Sequence, residues 1–424
     1  MTTTARAATL ARNASTHPAP SPIDLERRWG ARNYDPLKVT LERGEGVYLF
    51  DTEGRRYLDM MSAYSAVSFG HGHPVLVRAL TEQAKTLAVT SRAFHTVRLG
   101  SFLERLCRMT GMARALPMNT GAEAVETAIK AARKWAYKVK RVPDGQAQII
   151  VAAGNFAGRT TTIIGFSSEA QYRDGFGPFA PGFTSVPFGD AAAFEAAITP
   201  HTAAFIVEPV QGEAGIIVPP AGYLSAVREI CTRRNVLMIA DEVQTGLGRT
   251  GRLLACDHDG VRPDGLTLGK ALGGGLLPVS AFCAREDVMA QFTPGDHGST
   301  FGGNPLGAAV GEAALELLES EHLSERARVQ GDYLLAQLGR LEHPAIVDIR
   351  GKGLFVGVEI DPGFASARRI CEALVGLGVL TKDTHGTVIR LAPPLTIERE
   401  QIDFAVNALG RTLASITTRE PVAA

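Results

Sequence analysis

The sequence predicts an α/β protein in two parts: a large domain on a mostly parallel sheet, then a smaller α+β domain. Three observations support this. Short apolar runs alternate with helical patterns through the middle of the chain, as in parallel sheets covered by helices. The texture changes after about residue 306 to helices mixed with β elements. And 424 residues exceed one ordinary domain.

The elements follow in order. GVYLFD (Gly46–Asp51) and RRYLDM (Arg55–Met60) read as short strands joined by a Thr-Glu-Gly turn. Within LPMNTGAEAVETAIKAA (Leu116–Ala132) a short strand leads into a helix, with Thr120 and Glu123 spaced as a capping box. Ala147–Ala153, Ala203–Val207 and Val236–Ala240 are buried-strand candidates. Between the last two, Leu224, Val227, Ile230 and Cys231 recur at helical spacing. Gly265–Leu268 and Pro278–Cys283 add two strands. Beyond residue 306, a helix through Val310, Ala314, Leu317 and Leu318 precedes a charged stretch. Then come a strand RGKGLFVGVEI (Arg350–Ile360), a helix around Ile370 and Leu374, a β element at TVIRLA, and a last helix with Ile402, Val406, Leu409 and Leu413 on one face.

Composition narrows the function. Lys+Arg and Asp+Glu balance at 44 each, so no overall field favours nucleic acid or an anionic membrane. No apolar run reaches the roughly 18 residues that span a bilayer. The five cysteines are scattered without CxxC pairing, which fits a reducing, cytoplasmic setting rather than a disulfide framework or zinc site. His71 and His73 in GHGHP lack further ligands at suitable spacing, so no metal is expected. The first residues carry Arg6 and Arg12 and no acid before Asp24, a faint import-signal pattern, but the Pro-rich HPAPSP reads more simply as the end of a disordered tail.

Four segments carry chemistry. Lys270 in LTLGKALGGG follows a strand pattern and precedes glycines that permit close backbone approach; alone, it reads equally as a surface charge. Asp241 ends the apolar strand of VLMIADEVQTGLGRTG, and ligands in open α/β sheets bind beyond such carboxyl ends. It could bind a metal, act as a base, pair with a cationic heterocycle or merely cap a helix. Gly121 and Ala122 open a helix whose free N–H groups suit an anion, although many helices begin this way and no Walker or GxGxxG pattern supports a nucleotide. HGSTFGGNP (His297–Pro305) offers Ser299 and Thr300 as phosphate donors, or is an ordinary turn. Together the four match pyridoxal phosphate, which needs a lysine, an acid against its ring nitrogen and an anion pocket.

At this point the sequence resembles the class III, fold-type I aminotransferases, and within them the ornithine aminotransferases. The likeness runs from about Asn33 to Pro394 through NYDPL, GHGHP, TSRAFH, LPMNTGAEAVETAIK, DGFGPFAPGF, VEPVQGEAG, ADEVQTGLGRTG, LGKALGGG, HGSTFGGNP and RLAPPL. The resemblance implies a fold-type I transferase with a seven-stranded sheet and pyridoxal 5'-phosphate as cofactor. It implies a disordered tail over 1–22, an N-terminal segment over 23–70 packing with the small domain, a large cofactor-binding domain over 71–305 and a small domain over 306–424. Lys270 would bond covalently to the cofactor and Asp241 would face its pyridinium. Phe156 and Val243 would cover the two ring faces, Gln244 would approach the ring hydroxyl, and Gly121, Ala122 and Ser299 would serve the phosphate. Thr300 would reach the phosphate of a neighbouring subunit, so a homodimer with shared active sites is implied, with higher assembly left open.

The resemblance also implies a substrate set. Tyr34 and Arg159 would grip the α-carboxylate of L-ornithine, and Tyr64 would shape room for its side chain. Arg390 would hold the α-carboxylate of glutamate or 2-oxoglutarate, with Glu213 as its removable partner and Arg159 taking the distal carboxylate. The nearest alternative is another ω-amine transferase acting on acetylornithine, 4-aminobutyrate or a diamine. An aminomutase on the same fold would have no use for the Glu213–Arg390 exchange. Leu277 stands where many relatives carry tyrosine.

Overall fold

The computed structural model describes residues 20–416. A central seven-stranded sheet has the spatial order 114–118, 280–284, 265–268, 237–241, 202–207, 148–152, 183–186. The five strands from 265–268 to 183–186 are parallel to one another, and Ser280–Ala284 runs antiparallel to both its neighbours. The alternation of a pleated strand explains the near-continuous apolar runs, because both faces are covered. Ile149, Val151, Ala204, Ile206, Leu237 and Ile239 share one core with the helix Gly121–Trp135. Ile150, Phe205, Val207, Met238 and Ala240 share the other with Leu224, Val227 and Ile230 of the helix Tyr223–Arg233. Each fully buried Val, Leu, Ile, Met or Phe among these contributes roughly 1.5–3 kcal/mol.

Smaller sheets lie at the ends of the chain. Leu41–Glu45, Tyr48–Asp51 and Arg56–Asp59 form an antiparallel meander, to which Val379–Leu380 adds in parallel, so N- and C-terminal segments share one sheet. The C-terminal sheet has the order 346–352, 355–360, 388–391, 382–384. The helix Arg399–Ser415 buries Ile402, Val406, Leu409 and Leu413.

Two elements differ from the sequence reading. The run Arg350–Ile360 is not one strand but the hairpin Ile346–Lys352 and Phe355–Ile360, turned at Gly353 with φ +56°. The charged stretch after residue 320 is the helix Leu323–Leu338, whose inward face uses Ala327, Gln330, Gly331 and Leu334. The tail assigned to 1–22 lies outside the described residues as far as 19, while Ser21 and Asp24 form a capping box on the helix Pro22–Trp29. The helix Pro305–Ser320, cut by the boundary at 306, packs on the helices Pro74–Thr86 and Val97–Thr110 and on Lys270–Gly273.

Gly331 packs on Gly353, where the C-terminal part meets the loop after the Asp241 strand. A Cβ on Gly331 would lie 2.1 Å from the Gly353 carbonyl carbon, and Gly353 itself abuts the backbone of Thr250. No side chain can move aside there. Gly331→Ala is expected to cost about 1–3 kcal/mol in denaturant unfolding. Gly339→Ala, whose nearest neighbour is 3.4 Å away, serves as the control that leaves stability within experimental scatter.

Candidate active site

Parallel pairing of Leu237–Asp241 with Gly265–Leu268 sets Asp241 opposite Thr267. Asp241 therefore ends its strand where the neighbouring chain is about to turn, three residues before Lys270. Both groups emerge at the carboxyl edge of the sheet. Asp241 is 5% exposed, and its Oδ1 accepts from the Thr267 hydroxyl at 2.9 Å and the Val243 N–H at 3.1 Å. Its Oδ2 makes no hydrogen bond among the described residues. Burial pushes the carboxyl up, against those hydrogen bonds and the Lys270 charge, as expected for a buried acid without a cation in direct contact.

Lys270 sits at φ +44°, a left-handed conformation rare for a side-chain-bearing residue. Such strain costs roughly 1–3 kcal/mol and persists where the surroundings fix the backbone. Burial pulls its amine down to about 8, against Glu213 and Asp241, which favour the charged form. Lys270 opens onto a cavity of about 370 Å³ whose lining includes Ala63, Asn119, Gly121, Leu277 and Val279. Leu277, the departure from the family pattern, is thus on the pocket wall.

The anion end lies at the helix Gly121–Trp135. The Thr120 hydroxyl accepts from the Glu123 N–H at 3.2 Å, and Glu123 accepts from the Thr120 N–H at 2.7 Å. This box uses the cap donors but leaves the N–H groups of Gly121 and Ala122 without acceptors among the described residues. A Cβ on Gly121 would come within 2.9 Å of Val243 Cγ1, so only glycine lets the helix start this close to the Asp241 loop. The Ser299 hydroxyl accepts from the Asn119 amide at 2.8 Å, beside this helix start, whereas Thr300 is exposed. Free N–H groups at a helix start, a buried acid with one unbonded oxygen and a lysine poised near 8 fit pyridoxal phosphate as a set.

On the substrate side, Arg390 comes from the strand Val388–Leu391 and is 2% exposed. Its Nη1 lies 2.8 Å from Glu213 Oε1, and its Nη2 donates to Gln244 Oε1 at 2.7 Å. Gln244 Nε2 donates to the same Glu213 oxygen at 3.2 Å, closing a three-membered cluster. Gln244, expected at the ring hydroxyl, is therefore engaged with Arg390 and Glu213 in this structure. Burial pushes the Glu213 carboxyl up, but Arg390 and Lys270 outweigh it and hold the group below its ordinary range. The Tyr64 ring faces Arg390, with the guanidinium carbon 5.0 Å from its centroid. Tyr64 stands on a turn, Ser62–Ser65, whose four residues all have positive φ, from +44° to +73°. Left-handed backbone costs roughly 1–2 kcal/mol per residue without glycine, so other bonds must hold this turn.

Arg159 is exposed, with its guanidinium carbon 3.5 Å from the Tyr172 ring centroid and 5.5 Å from that of Phe156. Tyr34 is 79% exposed, yet close enough to Tyr64 and Tyr172 to bear on both hydroxyls electrostatically.

Sequence reasoning passed over Glu208 and Tyr172. Glu208 follows the strand Thr202–Val207 and accepts from the N–H groups of Phe156 at 2.9 Å and Gly212 at 3.2 Å. Burial and the nearby Asp241 raise it to about 8. Its signal was available, since it ends a buried strand just as Asp241 ends the next one. The histidines of GHGHP have structural partners: His71 lies 2.8 Å from Asp59, and His73 caps the helix Pro74–Thr86.

Comparison with known proteins agrees with this geometry. The profile of the family "Aminotransferase class-III" matches residues 29–413. An ornithine aminotransferase of Halalkalibacterium halodurans is 54% identical over 91% of this chain and 96% of its own length. Another from Bordetella pertussis is 54% identical over 92% of this chain and 95% of its own. Among solved structures, the Toxoplasma gondii ornithine aminotransferase superposes with a TM-score of 0.91 at 43% identity, covering 93% of this chain and 94% of that one. An acetylornithine aminotransferase of Elizabethkingia anophelis gives 0.84 at 47% identity, covering 92% and 98%. The lysine, the buried acid and the helix-start anion cradle thus stand in a chain that belongs to the class-III aminotransferases.

Proposed function

We propose that the chain is an ornithine δ-aminotransferase: it moves the δ-amino group of L-ornithine to 2-oxoglutarate, giving glutamate 5-semialdehyde and glutamate, with pyridoxal phosphate as cofactor. The Arg390–Glu213–Gln244 cluster carries this reading, because one pocket must accept two substrates that present their charges in opposite orders. The curated relatives named for this activity support it.

Pyridoxal phosphate supplies a reactive aldehyde and an electron-accepting ring. Lys270 would hold it by its aldehyde carbon and Asp241 by the ring nitrogen. Gly121, Ala122 and Ser299 would hold its phosphate, together with Thr300 of the partner subunit. Phe156 and Val243 would cover its faces. Once the substrate amine has displaced it from the aldehyde carbon, Lys270 Nζ, with its affinity for a proton lowered by burial, would take a proton from the amine-bearing carbon of the donor and, in the second half-reaction, deliver one to the corresponding carbon of glutamate. The buried Asp241 carboxylate would keep a proton on the ring nitrogen throughout.

With ornithine bound, Glu213 neutralises Arg390, so the pocket nearest Lys270 attracts no carboxylate. The α-carboxylate is held instead by Tyr34 and Arg159, and the δ-amine reaches inward. With 2-oxoglutarate, Glu213 moves aside and Arg390 takes the α-carboxylate in a fork, while Arg159 takes the distal one. The asymmetry in burial suits this exchange: the Arg390 side chain is 2% exposed and held by Gln244, whereas that of Glu213 is 23% exposed and able to swing. A homodimer belongs to the same reading. Phe94, Val97 and Phe301 are exposed apolar side chains; Phe301 adjoins Thr300, and the helix that Val97 opens brings Leu99 against Gly303.

Acetylornithine is the second candidate donor, favoured by the likeness to the Elizabethkingia anophelis enzyme. Its acyl group would crowd the Tyr34–Arg159 grip. A donor panel with 2-oxoglutarate, scored by the glutamate formed from every donor and, for ornithine, also by trapping the cyclised semialdehyde with o-aminobenzaldehyde, decides the matter. Ornithine is expected to exceed acetylornithine and 4-aminobutyrate in kcat/KM by at least about tenfold; the reverse order would transfer the assignment. Glu213→Ala is expected to lower kcat/KM for ornithine by about tenfold or more, because Arg390 is left uncompensated, and to increase transfer from the α-amine.

Lys270 gives a pH test. Burial disfavours its charged form, so the neutral amine appears at lower pH than on the surface. Peptide-mapped trinitrobenzenesulfonate labelling of the cofactor-free protein is expected to reach half its maximum rate near pH 8 at Lys270, against the ordinary 10.5 for a surface lysine. A midpoint at the surface value would contradict the stated environment.

A further inference from the structure

Arg249 is fully buried and has no salt bridge among the described residues. Burial lowers its affinity for a proton to about 9, which leaves it charged at neutral pH. Its hydrogen bonds go to neutral oxygens, with Asp59 the nearby anion that favours its charge, and such burial of a cation is costly. Its Nη1 donates to the carbonyls of Leu354 at 2.9 Å and Pro393 at 2.5 Å. Its Nη2 donates to the hydroxyls of Ser62 at 3.2 Å and Ser68 at 3.1 Å.

Two of those oxygens hold the turn that carries Tyr64, and the Pro393 carbonyl continues the segment that carries Arg390. Ser62 is the first residue of the left-handed turn, and its hydroxyl passes a hydrogen bond on to the Ala392 carbonyl at 2.6 Å. The Ser68 hydroxyl donates at 3.0 Å to the carbonyl of Ser65, the last residue of that turn. Arg249 thus grips the turn directly at its start and through one hydroxyl at its end. Asp59 Oδ1 accepts from the N–H groups of Met61 and Ser62, fixing the entry. Between the two grips stands Tyr64, facing Arg390. The Pro393 carbonyl lies three residues beyond Arg390 on the same segment.

We propose that Arg249 is a positioning residue for substrate selection: its planar fork locks the left-handed turn to the Arg390 segment and so sets where the Tyr64 ring stands in the pocket. Lysine cannot replace it, because a single ammonium lacks the fork that serves four oxygens at once. The Arg390 strand has its own support, pairing with Phe355–Ile360 and Lys382–Thr384. Loss of the grip should therefore release Tyr64 more than Arg390.

The inference rests on the reading of Tyr64 as a pocket residue for the amine donor. The test uses cofactor-loaded, full-length enzyme carrying Ser68→Ala, Arg249→Lys, Tyr64→Leu, and Ser68→Ala with Tyr64→Leu. Ser68→Ala removes one link and spares the buried guanidinium, so it remains informative if Arg249→Lys fails to fold. In folded Ser68→Ala, KM for ornithine is expected to rise about tenfold with kcat held within about twofold. KM for 2-oxoglutarate is expected to change less than about threefold, and the double variant to be no worse than Tyr64→Leu alone. An unchanged KM for the donor, or an additive effect in the double variant, would overturn the proposal. Should the wild type favour another donor, the substrate assignment fails, and the same comparison on that donor still decides the role of Arg249.

Discussion

The site depends on one strand pairing. Leu237–Asp241 and Gly265–Leu268 run parallel with Asp241 opposite Thr267, and the Thr267 hydroxyl fixes the carboxylate across that pairing at 2.9 Å. A slip of one residue would turn Asp241 to the opposite face and carry Lys270 away from it. The apolar alternation on both faces of the sheet enforces this register, so the hydrophobic core and the chemistry obey one constraint. The anion cradle joins the same frame, since Gly121 touches Val243, the residue that donates its N–H to Asp241.

Around that frame the pocket balances buried charges. Lys270, Glu213, Glu208 and Asp241 lie close enough to bear on one another, with the Arg390 charge acting on Lys270 and Glu213, and desolvation is the largest influence on Lys270, Glu208 and Asp241. Desolvation lowers the lysine and raises the acids, which brings Lys270 and Glu208 together near neutrality. The Arg390–Glu213 contact lowers Glu213 against the same trend. On the proposed reading, a substrate carboxylate replaces the Glu213 carboxylate at Arg390, so the exchange leaves no charge stranded in the interior.

Much of this was legible in the sequence. Buried parallel strands announce themselves as apolar runs, and the capping box at Thr120 and Glu123 marked the helix start directly. Other features lacked a local signal. Phe183–Val186 is an edge strand with only Val186 buried, so it shows no apolar run. Leu323–Leu338 hides its inward face behind small and polar residues such as Ala327, Gly331 and Gln330. The hairpin at Gly353 looked continuous because strand residues flank it on both sides. The left-handed turn at Ser62–Ser65 contains no glycine, and Arg249 finds its partners about 100 to 190 residues away in sequence, so both are consequences of tertiary packing.

The most direct measurement follows nitrogen. Ornithine labelled with ¹⁵N at the δ position, or separately at the α position, is incubated with the enzyme and 2-oxoglutarate, and the glutamate formed is analysed by mass spectrometry. A pocket that shields Arg390 with Glu213 and holds the α-carboxylate at Tyr34 and Arg159 should deliver label to glutamate from the δ position alone. Label arriving from the α position would contradict the account.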